Sequence, residues 1–126
     1  MSAEAFAIVR SAAFAGEARH GAETIEVVLS GTADGPANAP LDAFLDSIHR
    51  EGRQRAVGEI RVDLGAVEFM SSSSLKALVS WIGLLHDLPA AERYRIRFRM
   101  NPDARWQRRS LHALSMFGGD LVVIEP

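Results

Sequence analysis

From Arg93 to Met100 the chain alternates without a break: Tyr94, Ile96, Phe98 and Met100 fall on one side, and Arg93, Arg95, Arg97 and Arg99 on the other. A helix would scatter these four apolar side chains around its axis, whereas a strand gathers them on one face. The segment is therefore a strand with one buried and one solvated face. Any fold containing it needs a sheet that is covered on one side only.

Two further segments obey the same rule. Ile60, Val62 and Leu64 alternate with Arg61 and Asp63, and Ile25, Val27 and Leu29 alternate with Glu26 and Val28 over Thr24 to Ser30. Phe6 to Val9 and Leu121 to Ile124 are short apolar runs that read as a first and a last strand. Ala15-Gly16 and Gly21-Ala22 suit a long loop between the first two strands. Gly65 reads as the breaker that ends the third.

Between the strands the spacing changes to that of helices. Leu41, Phe44, Leu45 and Ile48 recur on one stripe until Gly52, after a Gly-, Ala- and Pro-rich stretch from Gly31 to Pro40. Leu75, Leu78, Val79, Ile82 and Leu85 do so from Ser71 toward Pro89. Asn101-Pro102 supplies an N-cap and first residue for a helix carrying Leu111 and Leu114 toward Gly118. Strands that alternate with helices imply parallel pairing through right-handed crossovers. The expected fold class is α/β, a mixed, largely parallel sheet with helices mainly on one face.

The 126 residues suit one domain spanning 1–126, and 48% hydrophobic with 24% charged residues supports a packed core. Acidic residues number 16 and basic ones 14, so no net field draws the chain to nucleic acid. The absence of cysteine removes disulfides and thiolate chemistry. No apolar run reaches a membrane span and no signal-peptide pattern opens the chain, which points to a cytoplasmic protein without membrane insertion.

Catalytic patterns are missing. His20, His49, His86 and His112 lie in separate segments, no Gly-x-Ser-x-Gly elbow is present, and Asp42 and Asp46 form an isolated acidic pair, so neither an enzyme nor a metal or cofactor site is expected. The arginine strand has two readings, an anion-binding face or a solvated face paired with Asp63 and Glu26, and cross-strand pairing favours the second. Trp81 lies outside the main stripe of its helix and reads either as core or as a partner's hot spot; Trp106 opens the next helix.

The distinctive segment is Val62-Asp63-Leu64-Gly65-Ala66-Val67-Glu68-Phe69-Met70-Ser71-Ser72-Ser73-Ser74-Leu75. It resembles the signature of STAS domains, the sulphate-transporter and anti-sigma-antagonist family. There a strand ending in aspartate and an apolar residue leads to two apolar residues, Asp-Ser-Ser-Gly-Leu and an apolar helix. Phe69, Met70, Ser72, Ser73 and Leu75 match. Upstream, Gly31 and Asp34 fit the family's Gly-x-apolar-Asp. Ser71 departs from the family's aspartate and Ser74 from its common glycine.

The resemblance implies a non-enzymatic, protein-binding regulator similar to the anti-sigma factor antagonists. Its partner would be an anti-sigma factor or a serine kinase of that type. The phosphorylated residue would be Ser72, with Ser71 and Ser73 as second choices. The partner surface would comprise Asp34, Ser71, Ser72, Ser73, Ser74, Leu75 and Lys76. The alternative within the same family is a constitutive subunit of a signalling scaffold or a lipid-transport complex. Without the resemblance, the serines read as a helix cap.

Overall fold

A computed structural model describes residues 4–126. Six strands form one sheet in the order of the sequence: β1 (Ala5–Ser11), β2 (Phe14–His20), β3 (Thr24–Ala33), β4 (Glu59–Met70), β5 (Arg95–Arg99) and β6 (Val122–Glu125). β1, β2 and β3 pair antiparallel, and β3 to β6 pair parallel. The three crossovers carry α1 (Asn38–Gln54), α2 (Ser72–His86) and α3 (Arg105–Gly118). Each crossover steps one strand in the same direction, and right-handed connections stepping one way place all their helices on the same face.

The alternation seen in the sequence sets the two faces. Ile25, Val27, Leu29, Ile60, Val62, Leu64, Ile96 and Phe98 are buried against the helices, while Val28, Arg61, Arg95 and Arg99 on the opposite face are exposed. That face is laced with ion pairs. Glu59 is their hub, accepting from Arg61 Nε at 2.9 Å and Arg97 Nε at 3.0 Å. The hydrogen bond from Arg61 holds the Glu59 carboxyl below its ordinary range, Arg97 adds to the effect, and partial burial opposes it. Arg99 pairs with Asp63 at 3.7 Å and Arg61 with Glu26 at 3.8 Å, so the expected partners are present but longer.

Three expectations need correction, and one open alternative is decided. The segment between the first two strands is itself a strand, β2, which joins β1 through Ala12 and Ala13. Of its inward positions only Phe14 is large, and Gly16 and Ala18 are too small to advertise a buried face. Gly16 is required there because a Cβ would sit 2.6 Å from Leu29 Cδ2.

Gly65 does not end the third strand. β4 continues to Met70 through two irregularities in its pairing with β3, opposite Val28/Ser30 and Gly31/Thr32. Each inserts a residue, so the buried positions change from Ile60, Val62, Leu64 to Val67 and Met70, a step of three. The carbonyls freed there are served by Gln107, fully buried, whose Nε2 donates to Leu64 O at 2.8 Å and Val67 O at 3.2 Å.

Asn101 does not cap α3, which begins at Arg105 after Ala104. Instead Asn101 Oδ1 accepts from Asp103 N at 3.0 Å, closing a turn, and Nδ2 donates to Gly65 O at 3.1 Å. Proline at 102 therefore sits in the turn, ahead of the helix.

Trp81 is core and no hot spot. It is 1% exposed, and its Nε1 donates to Tyr94 Oη at 2.7 Å. Tyr94 Oη lies 2.7 Å from His49 Nδ1, so the indole, phenol and imidazole satisfy one another inside the helix–sheet layer. Having accepted from Trp81, Tyr94 Oη–H is free to donate to His49 Nδ1 when the imidazole carries its hydrogen on Nε2.

Candidate functional site

The serine run occupies the junction where β4 ends and α2 begins. Met70 is buried, and the Ser71 N–H donates to Ala33 O at 2.9 Å, extending the sheet by one last bond. Ser71 then takes an extended conformation (φ −67, ψ 164) and becomes the N-cap, its Oγ accepting from Ser74 N at 3.2 Å. Aspartate and serine are both good N-caps. Ser71 thus supplies a cap that an aspartate at this position could also supply, without the charge.

The four hydroxyls differ sharply. Ser71 Oγ donates to Ser74 Oγ at 3.1 Å, Ser74 Oγ donates to Asn38 Oδ1 at 2.7 Å, and Ser73 Oγ lies 3.1 Å from Ser71 Oγ. Ser74 is completely buried in this chain, with ordinary helical backbone, so the side chain replacing the family's glycine is used to bind α1. Ser72, the first residue of α2, is exposed and its hydroxyl has no partner among the described residues. Ser73 is exposed but engaged with Ser71.

The first N–H groups of a helix have no acceptor within it. Ser74 N is served by Ser71, which leaves those of Ser72 and Ser73 at the positive end of α2. Lys76 is exposed and lies four residues beyond Ser72, on the same side of the helix. Leu75 is half-buried, packed against the core, and so contributes to the surface only at its margin.

Asp34 reaches the same region from β3. Gly31, at φ +89, turns the strand where a Cβ would meet Ala13 O at 1.9 Å, and Ala33 leads straight into the Asp34–Ala37 turn, closed by Ala37 N donating to Asp34 O at 2.8 Å. The β1–β2 hairpin braces this turn, because Ser11 Oγ donates to Pro36 O at 3.0 Å and Thr32 N donates to Ala13 O at 2.9 Å. Asp34 is exposed. Asp34 and Ser71 therefore flank the paired ends of β3 and β4, while Ser73, Ser74 and Lys76 follow on α2.

Two residues escaped the sequence reading. Asn38 anchors Ser74, and only the fold brings them together across 36 positions. Phe69 is 47% exposed beside the serine turn and packs edge-on against Trp106 with ring centroids 6.3 Å apart. Its apolar character at the strand's end was visible, its exposure was not.

Among the described residues no helix is long and apolar enough to cross a membrane, and no group of three or more His, Cys, Asp or Glu side chains could hold a metal ion. No protein-family model and no curated protein matches the chain. Solved structures do. An anti-sigma factor antagonist from Mycobacterium paratuberculosis, 19% identical, superposes with a TM-score of 0.64 over 93% of this chain and 91% of its own. The anti-sigma factor antagonist SpoIIAA in its unphosphorylated form, 20% identical, gives 0.57 over 88% and 87%. The chain has the fold of these proteins, as its serine motif implied.

Proposed function

We propose, from the fold shared with two anti-sigma factor antagonists, that this chain is a non-enzymatic regulator that binds an anti-sigma factor or a related serine kinase through its serine turn, and that phosphorylation of Ser72 weakens the complex. The observation that carries this reading is the division of labour among the serines. Ser71 and Ser74 are committed to the cap and to Asn38, whereas Ser72 presents a free hydroxyl at a helix start.

The physics of the site suits such a switch. A phosphate on Ser72 would meet open N–H groups and the positive end of α2, with Lys76 one turn along, so the modified protein stays folded. The same group adds about −1.5 to −2 charges at a position that previously offered a neutral hydroxyl. A partner fitted to the neutral turn is then repelled. With Ser71 in place of the usual aspartate, Asp34 at the end of β3 is the carboxylate that the family pattern retains here.

The test is to combine the protein and ATP with a serine kinase of the anti-sigma type, and to read intact mass and the modified site. A single phosphate on Ser72, absent from Ser72→Ala, together with weaker binding by Ser72→Asp, supports the switch. A tight complex that forms equally with Ser72→Ala and Ser72→Asp, and never acquires phosphate, supports a constitutive subunit instead.

A further inference from the structure

The sheet has two edges, and they are built differently. β6 spans only the four residues Val122–Glu125 with a charged residue at its end, and a short, charged edge resists addition of another strand. β1 spans seven residues and contains neither proline nor lysine. Its one irregularity lies at Phe6, so Ala7 to Ser11 run in regular register with β2 and present alternate N–H and C=O groups to the open side.

β1 also offers side-chain surface to a neighbour on each face at that edge. Ile8 projects on the solvated face and is 56% exposed. On the helix side a groove of about 370 Å³ runs between β1 and α1, lined by Phe6, Ala7, Pro40 and Phe44 together with the polar Arg10 and Ser47. An added strand would cover Ile8 from one side and fill the groove from the other.

We propose that this strand is a second copy of the chain, two β1 strands pairing antiparallel about a two-fold axis to join their sheets. The charges at the ends of the strand choose this occupant. Glu4 and Arg10 are exposed and have no ionic partner among the described residues. An antiparallel pair brings Glu4 of each copy toward Arg10 of the other at both ends, whereas a parallel pair would set like against like. The seam is shorter than a standard interface of about 1,600 Å². The dimer is therefore weak and dependent on concentration.

Sedimentation velocity of the full chain from about 10 µM to 1 mM tests this, since that range brackets a weak dissociation constant. Wild type is expected to pass from one chain to two. Ile8→Lys, a change at an exposed position, should remain monomeric with unchanged circular dichroism. Glu4→Arg and Arg10→Glu should each weaken association about tenfold, and the double reversal should restore it. A monomer at every concentration, a dimer indifferent to Ile8→Lys, single reversals without effect, or a double reversal that recovers nothing would each overturn the proposal.

Discussion

Ser74 Oγ donates to Asn38 Oδ1 at 2.7 Å, tying the first turn of α2 to the first residue of α1. Ser74 is fully buried while Asn38 is half-buried, so the two ends of the bond are not equivalent. Asn38→Ala takes away the sole acceptor that Ser74 Oγ–H has, and should cost about 1 to 3 kcal/mol. Ser74→Ala removes the buried group itself and should cost less. Urea unfolding of both singles and the double gives the coupling, expected near 1 kcal/mol.

The neighbouring serines should separate cap from surface. Ser71→Ala removes the N-cap bond and should lower stability by about 1 kcal/mol. Ser72→Asp changes an exposed residue at a helix start, where negative charge is favoured, and should leave stability unchanged or raise it by about 0.5 kcal/mol. Equal losses in urea melts for both would mean that Ser72 too is structural.

His49 makes stability depend on pH. Burial chiefly, and then Arg53, hold its pKa below the ordinary 6.5, with Asp46 opposing. The folded state binds fewer protons than the unfolded one, so this contribution is complete above about pH 6.5 and is lost as pH falls toward the lower folded value. Protonation leaves hydrogen on both ring nitrogens, so Nδ1 can no longer accept from Tyr94 Oη, 2.7 Å away. His49→Asn keeps an acceptor near the Nδ1 position and cannot titrate. Between pH 7.5 and 5.5 wild type should lose more stability than His49→Asn in parallel urea titrations.

The end of α1 carries an avoidable strain. Ala56 has φ +51, with Ala56 N donating to Arg53 O at 3.2 Å and Val57 N to Gly52 O at 3.1 Å, the paired bonds that close a helix through a left-handed residue. Glycine is the usual residue there because it has no Cβ to clash. Ala56 is exposed, so Ala56→Gly forfeits no packing and should stabilise the protein by about 1 kcal/mol, read as a higher urea midpoint at unchanged slope.

Hydrophobic period alone determined the mixed α/β architecture, helices on one face and the solvated arginine side, because the alternation around Ile25, Ile60 and Ile96 is local and admits one burial pattern. The serine turn was legible too, through its match to the STAS pattern at Phe69, Met70, Ser72, Ser73 and Leu75. What tertiary structure decided involves partners distant in sequence. β2 exists because its small residues let Val9 and Leu29 close over Gly16. β4 passes Gly65 because Gln107, some 40 positions away, takes up the carbonyls of Leu64 and Val67. Trp81 is buried because Tyr94 and His49 complete its hydrogen bonding. Ser72 is distinguished from three identical neighbours because Asn38 and the helix cap engage the others. Local periodicity records which face of an element is buried, but only the folded chain supplies the group that satisfies a buried polar atom.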